Sequence, residues 1–181
     1  MKRRLFVPLL IAALVLALGT LAAACGGGGD GRQLSLEEYL QRLETARASA
    51  SQRSDALGEE FTKAQASAST EEEWINALRD YVNGVAAIMA EVITDLNSLN
   101  PPAEAGEAHN ELVNAWVGAR QLWDDFVHEL GDVNTRSESD ELLSGLDEAI
   151  TQAGARIDQA CFAMQEIADD EGIDADLECG E

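Results

Sequence analysis

The chain has 181 residues, with 34 acidic against 12 basic side chains and a net charge of −22. That balance repels nucleic acid and anionic headgroups, which argues against both as direct partners of the folded part. Three prolines and 5% aromatics accompany abundant Ala, Leu and Glu, a mixture that favours helix. No stretch alternates β-branched residues in the manner of a strand, and no repeat of solenoid period is present.

The chain opens with Met1-Lys2-Arg3-Arg4, and no charged residue follows from Leu5 to Ala24. A basic head, an apolar run and small residues at its end describe a secretory signal, whose head stays on the cytoplasmic side. The junction "LAAACGGGGD", residues 21–30, has three readings. Ala22 and Ala24 form an A-x-A cleavage pattern. The uncharged run, at roughly 20 residues, is also long enough to span a membrane uncut. The third reading accounts for the cysteine: Ala22-Ala23-Ala24-Cys25 resembles the lipobox of bacterial lipoprotein precursors. It departs in that Leu21 stands one place early and Ala22 takes the leucine's position.

The resemblance covers the first 25 to 29 residues. It implies cleavage between Ala24 and Cys25, acylation of Cys25 and an extracytoplasmic domain anchored to the cell membrane by its N-terminal lipid. Gly26 to Gly29 favour it, because a lipidated terminus needs slack. A tether over 25–34 would span on the order of 15–20 Å as a coil. Two acyl chains hold a protein on a bilayer far better than one. Removing Lys2, Arg3 and Arg4 leaves nine basic residues against 34 acidic ones, a net charge of −25.

The first helix, over 35–67, starts at Ser35, which forms a capping box with Glu38, and Leu34 and Tyr39 have the spacing of a hydrophobic staple. Its stripe of Leu36, Leu40, Leu43, Ala46, Ala50, Leu57 and Phe61 is interrupted by Arg47, Arg53 and Ser54. This is the weakest seam of the four. The second helix, over 70–99, starts with a capping box of Thr70 and Glu73. Its seam steps by three and four residues through Trp74, Leu78, Tyr81, Val85, Ile88, Val92, Leu96 and Leu99, the spacing of long-axis packing.

"LNPPAE" breaks the chain, and a third helix is expected over 101–131 with Asn100 as its cap and Gly131 at its end. Its seam runs from Ala105 to Leu130, with Trp116 and Trp123 beside it. The fourth, over 137–171, places Leu143, Leu146, Ile150, Ala153, Ile157, Ala160, Met164 and Ile167 on one face, and Gly172 stops it. Short connections make sequential neighbours antiparallel. The expected fold is all-α, an antiparallel up-down-up-down four-helix bundle, with a short acidic tail over 172–181. Long helical hairpins that dimerise would be the alternative.

Bundles hold metals and haems between facing helices, so each candidate must be weighed. The chain has no Glu-x-x-His. Asp125-x-x-His128 is its nearest match, with Asp124 and Asp132 within one turn. A surface histidine among carboxylates explains that pattern equally well. His109 has no carboxylate at i±3 or i±4 and is expected on the helix surface or partly buried. Met89 and Met164 sit where core methionines sit. No nucleophile stands with a patterned base, and Gly26 to Gly29 precede no strand, so neither acyl chemistry nor phosphate binding is written here. The tail crowds Asp169, Asp170, Glu171, Asp174, Asp176, Glu178 and Glu181 together but misses the register of a calcium loop.

If Cys25 carries lipid, Cys161 and Cys179 remain as an even pair in an exported chain. From Gly172 the tail can run back down the fourth helix and bring Cys179 to Cys161, with Ile173 and Leu177 packing on the way. The expectation is therefore a membrane-tethered binding or structural module without catalytic activity or cofactor. Its partners would be the membrane, through Cys25, and a protein or a second copy. A bundle binding a metal, haem or small ligand, with His128, Asp125 and Asp124 as the candidate set, is the competing expectation.

Overall fold

A computed structural model describes residues 33–180. The expectations for the signal segment, the Ala24–Cys25 junction and most of the tether lie outside the described residues. The chain is an all-α four-helix bundle: α1 (Leu36–Ser67), α2 (Glu71–Ser98), α3 (Gly106–Leu130) and α4 (Arg136–Asp170). No described helix is long and apolar enough to cross a membrane.

The helix starts follow from side chains that satisfy amides with no intrahelical acceptor. Ser35 Oγ accepts from Glu38 N–H at 3.2 Å, and Ser35 N–H donates back to Glu38 Oε2 at 3.2 Å. Thr70 and Glu73 repeat this arrangement at α2. At α4 the start falls one residue earlier than expected, because Thr135 and Glu138 form a third capping box. The amides of Asn134 and Thr135, both donating to Glu138 Oε2, hold its carboxyl below the usual pKa.

The start of α3 is a larger correction. Pro101 precedes Pro102 and so is kept out of helical conformation. Pro102 is extended, a 3-10 turn follows over Ala103–Ala105, and the α-helix begins at Gly106 rather than at residue 101. Asn100 is accordingly not the cap; its carbonyl accepts from Leu34 N–H at 3.1 Å. At the other end of α3, Gly131 stays right-handed, the amides of Gly131 and Asp132 meet the carbonyls of His128 and Glu129, and Arg79 of α2 covers carbonyls from Leu130 onward. Its guanidinium donates to the carbonyls of Leu130 at 3.3 Å, Gly131 at 3.1 Å and Val133 at 2.7 Å. Gly172 ends α4 with φ +67°, in a Schellman turn: Ile173 N–H reaches Ala168 O at 2.9 Å and Gly172 N–H reaches Asp169 O at 3.1 Å.

Antiparallel packing gives the bundle two apolar poles. At the tail pole the start of α1 (Tyr39, Leu40, Leu43) meets the end of α2 (Val92, Leu96), the start of α3 (Ala108, Leu112) and the end of α4 (Ala160, Met164, Ala168). At the loop pole the start of α2 (Ile75, Leu78, Val82) meets the end of α3 (Phe126, Leu130) and Val133. Half-buried Phe61 of α1 and Leu142, Leu143 and Leu146 of α4 pack around that second core. Between the poles lies a waist of half-buried side chains, including Val85, Ala115 and Ile150. There Gly84 lets α1 and α2 approach closely: a Cβ would stand 2.7 Å from Leu57 Cδ1.

The expected seam of α2 is displaced. Ile75, Val82 and Ala86 are buried, whereas Trp74, Tyr81, Val85 and Ile88 are half-buried. The central helix touches both α1 and α3, so its apolar face is wider than one stripe. The tether expectation also shifts. Gln33 and Leu34 belong to the bundle: Leu34 is buried in the tail pole with Tyr39, and Gln33 Nε2 donates to Pro101 O at 3.2 Å.

Candidate functional site

The tail pole carries the densest set of specific contacts, and it is made by residues 173–180 running back between α1 and α4. Leu177 is buried in the pole's core, and Ile173 packs against it. On the α4 side, Gln165 grips the strap twice, donating to Ala175 O at 2.8 Å and accepting from Leu177 N–H at 3.0 Å. Cys161 of α4 is joined to Cys179 in a disulfide with Cα atoms 5.6 Å apart. On the α1 side, Glu44 accepts from Asp176 N–H at 2.8 Å. Arg47 donates to Leu177 O and pairs with Glu178 at 2.8 Å. Asp174, Asp176 and Glu178 keep their side chains exposed, so one apolar residue enters the core while the carboxylates stay in water.

Beside this strap, the same pole buries a polar pair. Tyr39 of α1 and His109 of α3 are 0% and 7% exposed, and the Tyr39 hydroxyl lies 2.9 Å from His109 Nδ1. The rings meet edge to face at 5.8 Å. Burial raises the Tyr39 phenol and lowers the His109 imidazole from their ordinary pKa values. Burial thus favours the neutral form of both groups, and the His109 tautomer sets which of them donates. His109 was expected nearer the surface. The signal for its burial was its place next to Ala108 and one turn before Leu112.

The other sequence candidates do not converge. His128, Asp124 and Asp125 are all exposed, and Asp124 accepts from Arg120 Nε at 2.8 Å. No group of three or more His, Cys, Asp or Glu side chains among the described residues comes together to hold a metal ion. Met164 is wholly buried in the apolar tail pole. Trp74 lies under Arg136 at 5.1 Å, and Trp123 meets Phe126 edge to face at 5.7 Å, so both rings serve the loop pole. An open groove of about 530 Å³ follows α3 and α4 along the waist, floored by Ala115, Ala119, Ala149 and Ala153. It exists because small side chains face each other there and leave space between the helices. No family model matches the chain, and no curated protein or solved structure is significantly similar to it.

Proposed function

We propose that the protein is a lipid-anchored, extracytoplasmic helical module with a binding or structural role, tethered through Cys25. The sequence of the Ala24–Cys25 junction supports the anchor. The observation that carries the reading further is the docking of Gln33 and Leu34 on the tail pole. The described bundle begins there, so a lipid at Cys25 would hold this pole toward the membrane across only eight residues, a reach of about 15 Å if they are flexible. The loop pole would then project outward by roughly the length of a 30-residue helix, about 45 Å. The exposed faces between the poles would be presented to a protein partner or to a second copy.

Two measurements test this. Wild-type protein should partition into detergent and incorporate a fatty-acid analogue, and Cys25→Ser should lose the label; a labelled Cys25→Ser would defeat the anchor. In vesicles, a fluorophore on Glu104→Cys should transfer energy efficiently to a headgroup acceptor, and one on Lys63→Cys, at the far end of α1, should transfer far less. The reverse ranking would defeat the orientation.

A further inference from the structure

Three features of the strap distinguish its disulfide from a simple staple. The first is backbone conformation. Cys179 stands between Glu178 at φ +44° and Gly180 at φ +83°. Glycine takes that region freely, but a glutamate there is strained and persists only where its surroundings hold it. Here the holders are Arg47, which grips Glu178, and the bond at Cys179.

The second is independence from the helices. The Schellman turn closes α4 with Gly172 and Ile173, so no helical hydrogen bond depends on residues 174–180. The third is access. Both cysteines are only half-buried, and they neighbour Phe162 and Gly180, which are exposed.

We propose that Cys161–Cys179 is a redox-operated latch. Its reduction releases residues 174–180 as a unit and opens the apolar cleft between α1 and α4, while the four helices stay folded. The co-reactant is a dithiol. One of its thiolates attacks a sulfur of the bond and forms a mixed disulfide, expelling the other cysteine as a thiolate. The second dithiol sulfur then closes the reductant's own disulfide and frees the remaining cysteine. Two electrons and two protons pass to the protein, which ends with two thiols. Release relieves the Glu178 strain, so return depends on re-forming the bond. This inference does not rest on the anchor at Cys25.

Hydrogen exchange on the full chain, oxidised and then reduced with excess dithiothreitol, tests the latch. The amides of Asp176, Leu177 and Glu178 should exchange at least ~100-fold faster after reduction, while those of α2 and α3 change by less than about threefold. Glutathione disulfide should restore the original rates. The double variant Cys161→Ser/Cys179→Ser should reproduce the reduced pattern without reductant; if it does not fold, the reduced wild type still decides. Strap protection unchanged on reduction would mean that packing, not the bond, holds it. A rise shared by all four helices would mean that the bond is a global tie. Either result overturns the proposal.

Discussion

At the tail pole α1 supplies Tyr39, Leu40 and Leu43 to the core; at the loop pole it supplies only half-buried Phe61. The same asymmetry runs through α4, whose end buries Ala160, Met164 and Ala168 while Leu142, Leu143 and Leu146 near its start are half-buried. Burial here follows position along the bundle axis more than helix identity. The reason lies in what closes each end. The tail pole gains two further pieces of chain, Leu34 before α1 and Leu177 after α4. The loop pole gains Val133 and the Arg79 guanidinium. The seam of α1 buries no residue in its second half, but α4 likewise buries none over 140–159, so that weakness is not peculiar to α1.

Truncations sharpen the contrast most. Phe126→Ala should cost about 3–5 kcal/mol and Leu40→Ala about 2–5 kcal/mol, since each removes a fully buried side chain. Leu146→Ala, which lies on the expected seam but is half-buried, should cost about 1–2 kcal/mol. Urea unfolding followed by circular dichroism measures all three. If Leu146→Ala proved as costly as Leu40→Ala, the contrast between the ends of α4 would collapse.

Arg79→Ala should come next, at about 1–3 kcal/mol, because a charged donor to three carbonyls is lost at a helix end. Arg79→Lys should recover only part of this, since a single ammonium lacks the guanidinium's fork of donors. Exchange of the amides at 129–133 should rise in both variants, with the tail pole unchanged. Loosening at the tail pole instead would show that the two ends do not open separately.

The smallest effect is pH-dependent and confined to the tail pole. Burial holds His109 below its ordinary 6.5, so under more acidic conditions the unfolded chain takes up a proton that the native state resists. Stability should thus be level above about pH 6.5 and decline as pH falls below it. A protonated His109 could act only as a donor to the Tyr39 oxygen. His109→Gln should flatten this part of the profile, and Tyr39→Phe should cost about 1 kcal/mol at pH 7. A slope unchanged in His109→Gln would assign it to other groups.

What was legible in the sequence is local. The Ser35 and Thr70 capping boxes, the stop at Gly172 and the three-four spacing of apolar residues depend on neighbours within a turn or two, so residue order suffices to read them. Thr135-Arg136-Ser137-Glu138 is an equally local capping box, which starts the fourth helix one residue before the expected 137. The tail was legible in part: its cysteine pair and the reach of Ile173 and Leu177 follow from chain length and helix rise.

Tertiary structure alone decided which long-range partners meet. Arg47 and Arg53 look like flaws in a stripe until the strap and Glu91 of α2 are brought beside them. Arg79 becomes a helix cap for α3, Gln165 a clamp for the strap, and His109 the buried partner of Tyr39. Each of these contacts joins residues that carry no mutual signal along the chain, because a hydrogen bond depends on separation in space and orientation. The width of the buried face of α2 belongs to the same class. Periodicity specifies that a helix has an apolar side, but how many neighbours share that side is settled only when the helices pack.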